Sequence, residues 1–319
     1  MANPYEGINF WVYLPSKTLA FIFLFAFLVT AAIHYWQCRH YKFFRVTWSF
    51  VVGGILYVIG FALRLNGAYG NYDELVPFII SVALIYVSPP LLALGNYDIL
   101  GRIFYYAPYL SPMEPGRVLS TFVLLSLAIE SVNGLAASFI ANPDSNPILG
   151  SAFTWTALVL QILAIVVFLG LAGFFHWKCV KAGISGARGI KIPLITLYVS
   201  SGLILIRTIY RGVEHSVTTV AEIEWPFYVF EVALMLLNMV IWNIWHPGLY
   251  LPADTRTYLS KDTFTEVKGP ERKDTRSRTA KILDPFHIME LCRRREKPRD
   301  EAYLEIDESG NEVRHTTPV

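Results

Sequence analysis

The stretch "LIRTIYRGVEHSV", Leu205 to Val217, places Arg207, Arg211 and Glu214 at i, i+4 and i+7 behind the apolar run "IPLITLYVSSGLILI". On an α-helix that spacing puts all three on one face. A guanidinium is a planar fork of donors suited to a carboxylate or phosphate, and a carboxylate takes up a proton or meets an ammonium group. Three more ionisable side chains, Arg64, Glu130 and Glu231, also fall inside apolar runs. An ionised group at the centre of a bilayer costs about 2.5–3.5 kcal/mol on insertion scales, so these residues must face protein, water or one another.

Each of them continues a stripe of polar or small residues. Gly53, Tyr57 and Gly60 share a face with Arg64; Ser126, Asn133, Gly134 and Ala137 with Glu130; Met235, Asn238 and Trp242 with Glu231. Such stripes let helices approach and hydrogen-bond across an interface, and they equally describe a cavity wall. Two readings follow. In one, Arg64 and Arg207 are clamped by Glu130 and Glu231 to orient helices. In the other, Arg64, Glu130, Asn133, Arg207, Arg211, Glu214, Glu231 and Asn238 bind an amphipathic ligand, the arginines on its anionic part and the glutamates on its amine or on a proton.

The elements that must position these residues are membrane spans. The 319 residues are 54% hydrophobic and 16% charged, and 14 of 27 basic and 14 of 25 acidic residues lie after residue 246. Seven apolar runs, near 17–37, 46–67, 75–96, 118–141, 148–177, 191–213 and 226–246, are each long enough for a hydrocarbon core of ~30 Å. Without water to satisfy the backbone they are expected as helices, giving an all-α, polytopic seven-helix bundle. The fifth run is the longest and should tilt or protrude. Short loops alternate in charge: Arg39, Lys42 and Arg45 in the first, Arg102 and Arg117 in the third, Lys178, Lys181, Arg188 and Lys191 in the fifth. The second and fourth have no basic residue, and the sixth carries Glu214, Glu222 and Glu224 against Arg211. The N-terminus is therefore expected outside and the C-terminus in the cytosol, with Cys38, Cys179 and Cys292 as reduced cytosolic thiols.

The division expected is a transmembrane domain over 1–250 and a cytosolic, mostly disordered tail over 251–319, whose charges nearly cancel and which lacks an apolar period. This tail is expected to be dispensable for folding, and it is a possible contact for a protein partner. Within it "DPFHIMELCRRRE" has the pattern of a short amphipathic helix. Pro89 and Pro90 should bend the third span, and Asp98 and Arg102, at i and i+4, read best as an interfacial ion pair. His34, His176 and His246 fall at one level near Asp98, but neither HxxxH nor HExxH spacing occurs, so no metal is expected. No GxxxxGK[ST] phosphate loop is present. No catalytic residue, cofactor or nucleic-acid partner is expected, and the chain does not read as an enzyme. A receptor shares the topology, yet an outer cysteine pair and an NPxxY-like string are absent, and the seventh run has no lysine for retinal.

"GFALR" (60–64), "SPPLLALGNYDILGRI" (88–103), "YLSPMEPGRVLSTF" (109–122), "IRTIYRGVE" (206–214), "EWPFYVFEVALMLLN" (224–238) and "HPG" (246–248) resemble the fungal lipid-translocating exporter family. The resemblance covers roughly residues 10–250, and the block from Arg207 to Glu214 followed by the acidic, aromatic seventh span is its most specific part. It implies a multi-pass protein of the plasma membrane, or another endomembrane, that binds and exports or flips amphipathic lipids such as sphingoid bases, phospholipid-like or sterol-like compounds. It also implies tolerance of membrane-active compounds. A non-transporting lipid sensor or receptor is the alternative. Tyr57 stands where many members carry an acidic residue, and "LLSLAIESVNG" replaces an Asp and Gln of the fourth span.

Overall fold

Long apolar runs close their backbone hydrogen bonds internally, and local signals fix where they begin. The computed structural model describes residues 9–269 except 12, 114, 142–145 and 261–264, together with a strand pair at 304–306 and 312–314. Seven helices are long and apolar enough to cross a membrane: α1 Lys17–His40, α2 Phe44–Ala68, α3 Leu75–Tyr106, α4 Pro115–Ala141, α5 Pro147–Lys181, α6 Arg188–Ser216 and α7 Glu224–Leu249. The chain is a seven-helix membrane bundle. Ser16 caps α1 by accepting from the Leu19 N–H, and Asn146 caps α5 by accepting from the Ile148 N–H ahead of Pro147; both satisfy amide groups that a helix start leaves open. Below, the N-face is the end of the bundle where α1 begins, and the C-face is the opposite end.

The helices outrun their apolar stretches. α3 is 32 residues long and α5 is 35. In α3 the hydropathy drops at Asn96 and Asp98, but the helix continues to Tyr106 because Ile99, Leu100, Ile103 and Phe104 are fully buried. Pro89 and Pro90 lie inside this unbroken helix.

Contacts close a ring through α1, α2, α3, α6 and α7. α4 and α5 form an antiparallel hairpin on the α3 and α6 side of that ring. The ring is held by close approach and aromatic packing. At Gly60 a Cβ would stand 2.8 Å from Ile85 Cγ1, and the Ser81 hydroxyl donates to the Gly60 carbonyl at 2.8 Å. Phe27 stacks on Tyr57 at 4.1 Å and Phe23 on Tyr228 at 5.3 Å, joining α1, α2 and α7. The hairpin packs on the ring through Phe122 of α4 and Phe168 and Phe175 of α5, which belong to the main core and meet Tyr97 and Phe104 of α3; Ile129, Ala157 and Ala164 form a satellite cluster between α4 and α5. Phe21, Phe25, Val166, Val167, Ile206 and Leu237 are exposed on the outside of the bundle, as side chains facing lipid tails should be.

The folded body extends past residue 250. Leu251 and Leu259 are buried in the main core. Thr257–Leu259 (β1) pairs antiparallel with Glu266–Lys268 (β2). Arg102 does not pair with Asp98; its guanidinium donates to the carbonyls of Pro252 and Asp254. The segment after α7 folds back over α3 and brings two backbone carbonyls to a guanidinium that has donors to place. The Tyr106 hydroxyl donates to Glu266 at 3.0 Å. Asp254 is held below the usual carboxylate range by hydrogen bonds from the Arg256 side chain and backbone. A second antiparallel pair joins Leu304–Ile306 (β3) to Glu312–Arg314 (β4). Residues 270–303, with the proposed amphipathic helix at 284–296 and Cys292, lie outside the described residues.

Cys38 and Cys179 are both fully buried, so their labelling reports packing and not sidedness. Basic residues Arg39, Lys42, Arg45, Lys178, Lys181 and Lys191 collect at the C-face. If that face is cytosolic, a cysteine at exposed Asn71 reacts with an impermeant maleimide in intact cells, and one at exposed Ala182 reacts only after permeabilisation; the reverse pattern overturns the orientation. A second outcome concerns the tail. Truncation after Gly269 should leave the melting temperature unchanged in detergent. Truncation after Leu251 strips Arg102 of both acceptors and should destabilise by about 1–3 kcal/mol; equal melting of the two would show the β1–β2 segment to be passive.

Candidate functional site

α7 does not follow α-helical winding throughout: Phe227–Ala233 is a π-helix. Such segments are rare, and they re-aim side chains by widening one turn. Glu231 sits in it, fully buried, and accepts from Arg207 Nε of α6 at 2.7 Å and from a terminal nitrogen of the same guanidinium at 2.5 Å. Tyr57 of α2, also fully buried, lies within electrostatic reach of this pair.

Arg64 is not clamped by Glu130. It donates to the hydroxyls of Tyr228 at 3.2 Å and Tyr13 at 2.9 Å, and pairs with Glu224 at 3.5 Å. Trp11, Tyr13, Phe227 and Tyr228 surround its guanidinium at 4.6–5.5 Å. Cation–π contact accounts for this cage, because a desolvated guanidinium is attracted to ring faces. Glu224 also accepts from the Ser16 N–H at 2.7 Å. Arg64 therefore fastens the segment before α1 over the N-face.

Arg211 and Glu214 pair with each other on the last turn of α6, with Arg211 partly exposed at 29%. The Arg211 guanidinium lies 4.0 Å over the Tyr86 ring of α3, and the Tyr210 hydroxyl donates to Glu214 at 3.4 Å. One turn deeper stands the Arg207–Glu231 bond. Deeper again is a closed polar knot. Ser200 donates to Asn96 at 2.9 Å and lies 3.0 Å from Asn238 Oδ1, and Trp242 Nε1 reaches both Asn96 and Ser200 at 3.1 Å. Asn238 belongs to this knot and not to the charged cluster.

Glu130 stands apart, half-buried on α4, with Asn133 donating to it at 3.4 Å. It borders a void of about 20 Å³. Another, of about 10 Å³, lies beside Asn96 and Ser201. Each has room for about one water, so neither is the lipid-sized cavity expected in the second reading. The eight residues thus fall into five groups: the caged Arg64, the buried Arg207–Glu231 bond, the half-exposed Arg211–Glu214 pair, Glu130 with Asn133, and Asn238 in the knot.

The histidines do not converge on a metal. His34 Nε2 lies 3.1 Å from the Met239 carbonyl and His246 Nδ1 accepts from the Gly248 N–H at 3.1 Å. Among the described residues no three His, Cys, Asp or Glu side chains gather. Sequence reasoning missed Glu224 as the partner of Arg64, Tyr86 beneath Arg211, and Asn96, Ser200 and Trp242 as one network. Only Trp11 and Tyr13, aromatic residues just ahead of the first span, gave any signal for the cage.

Residues 50–254 match the family model described as RTA1 like protein, a range that contains all eight residues. The chain is 38% identical over 287 residues to a lipid-translocating exporter-like protein RTA1 of Leptosphaeria maculans, an alignment that covers 82% of this chain and 55% of that relative. It is 30% identical over 285 residues to a protein of the same name from Ajellomyces capsulatus, covering 82% and 88%. It is 31% identical over 210 residues to Protein RTA1 of Saccharomyces cerevisiae, covering 62% and 64%. The chain thus spans little more than half the length of the Leptosphaeria relative. No solved structure matches.

The buried bond sets a first test of the site. Arg207→Ala leaves the Glu231 carboxylate alone in the core and should cost about 3–5 kcal/mol, read as a lost or sharply lowered melting transition. Replacing both with methionine should recover most of that loss. A double variant as unstable as Arg207→Ala would show that the pair does more than neutralise itself.

Proposed function

The chain belongs to the RTA1-like family, and on that premise we propose that it binds amphipathic lipids along α6 and moves them across the plasma membrane, conferring tolerance of membrane-active compounds. The observation that carries this reading is the polar stripe of α6. Glu214, Arg211, Arg207 and Ser200 follow one another at steps of three, four and seven residues, each in polar contact with α3, α7 or its own helix. From Glu214 to Ser200 the stripe runs about 21 Å at 1.5 Å per residue, most of a ~30 Å hydrocarbon core.

Every arginine on the stripe already holds a carboxylate. A headgroup with an anionic and a cationic part exchanges with such a pair without changing net charge: its phosphate or carboxylate takes Arg211 while its amine takes Glu214. That exchange avoids the cost of placing a lone charge in the membrane. The route begins at the half-exposed pair, and passage deeper requires the α4–α5 hairpin to move from the ring, since the two voids described each hold about one water. The closed interior also favours a second reading, a lipid sensor that binds at the Arg211–Glu214 pair and moves nothing. Relatives' names are those of lipid translocators and name no reaction.

Proteoliposomes of the purified protein separate the readings. Wild type should carry labelled sphingoid base and short-chain phospholipid between leaflets without an added pump. Arg211→Ala should melt like wild type, because the side chain is partly solvated, yet lose flux by about tenfold or more, the worth of one charge-assisted contact of roughly 1.5–3 kcal/mol. Binding without flux in wild type selects the sensor. Unchanged flux in Arg211→Ala would reduce "RTIYRGVE" to an anchored helix end.

A further inference from the structure

The void of about 20 Å³ lies where the α4–α5 hairpin meets the ring, and Glu130, Ser126, Gln161 and Tyr97 supply its polar wall. Ser126 and Tyr97 face each other across it. Three carboxylates in the N-face half of the bundle have guanidinium partners: Glu224 with Arg64, Glu231 with Arg207, and Glu214 with Arg211. Among the described residues Glu130 has only the Asn133 amide, at 3.4 Å. Arg207 of α6 is the charged group whose field reaches it, and Arg207 is already bonded to Glu231. Of the other elements around the void, α3 presents Tyr97 and α5 presents neutral Gln161.

Size decides what occupies this place. About 10–15 Å³ of such space holds one water, and a lipid headgroup is several times larger. Glu130 lies eleven residues from the end of α4, about 16 Å deep and near the middle of the hydrocarbon core. A carboxylate here without a cation carries its charge at a cost that the neutral acid does not carry.

We propose that Glu130 takes up and releases the proton coupled to lipid movement, exchanging it with one water held in this void by Ser126 and Gln161. This rests on the lipid-binding reading above. In uptake an O–H bond of hydronium breaks and an O–H bond forms on the Glu130 carboxylate, leaving water; in release the same bonds reverse, and no other co-reactant takes part. Neutral Glu130 lets the hairpin rest against Ala93 of α3 and Ile204 of α6. The ionised form draws water into the seam and loosens the hairpin from α3 and α6, so the charge state of one residue sets whether the α6 stripe is covered.

Calorimetry of short-chain phosphatidylcholine binding to the full-length protein in nanodiscs, in two buffers of different ionisation heat, counts the protons exchanged. That lipid neither gains nor loses a proton near neutral pH. Wild type should exchange about one proton per lipid bound, and Glu130→Gln should bind with none, while exposed Glu222→Gln behaves as wild type. In proteoliposomes a one-unit pH gradient should drive up to about tenfold lipid accumulation by wild type and none by Glu130→Gln. Buffer-independent binding heat in wild type, an unchanged proton count in Glu130→Gln, or accumulation driven by sodium in place of the pH gradient each overturns the proton site and leaves lipid binding intact. Absence of binding heat in wild type overturns both.

Discussion

Arg207 and Glu231 meet where neither side chain reaches water, and the N-face half of the bundle is arranged around that contact. Removing two charges from water costs several kcal/mol each, and the loss is recovered only where the geometry between them is good. The π-helical stretch of α7 is where that geometry is set, since a widened turn changes the direction from which Glu231 approaches α6. Arg211–Glu214 and Arg64–Glu224 then repeat the solution at shallower depth. The result is a region rich in charged side chains with little net charge, which is the form in which a membrane interior tolerates them. Against that neutral background a single unpaired carboxylate such as Glu130 carries unusual weight.

The helices divide by how they are held. The ring of α1, α2, α3, α6 and α7 is fixed by close glycine approaches, stacked rings and buried hydrogen bonds. The α4–α5 hairpin packs on that ring through Phe122, Phe168 and Phe175, and its seam with the ring includes a void. Local opening costs least where contacts are fewest, and along this seam the void beside Glu130 is such a place.

Much of the architecture was legible in the residues, and for a simple reason: the bilayer forces long apolar runs into helices, and no tertiary context overrides that. Where sequence reasoning stopped short, the missing term was tertiary. α3 continues ten residues beyond its apolar run because Ile99 to Phe104 bury against neighbours that a one-dimensional pattern does not show. Arg102 turns from Asp98 to carbonyls 150 residues away. Glu130 and Glu231 were both read as carboxylates for Arg64 and Arg207, but which of them meets Arg207 was not readable; Glu231 does so from a π-helical stretch that has no sequence signature. Asn238 shares a stripe with Glu231, as spacing implies, but faces Ser200 and Asn96 in a network of its own.

The bond from the Ser16 N–H to Glu224 has a bearing on how the protein is made. It joins residues 208 positions apart and closes the start of the first helix with a group from the last. During synthesis α1 and α2 enter the bilayer long before Glu224 exists. Until then the Ser16 amide and the Arg64 guanidinium near the end of α2 depend on water or headgroups at the interface. α1, made before α7, is thus finished only after it. Assembly is completed by an event at a single corner of the bundle, where the arrival of α7 supplies the carboxylate and two of the four rings that Arg64 has been waiting for.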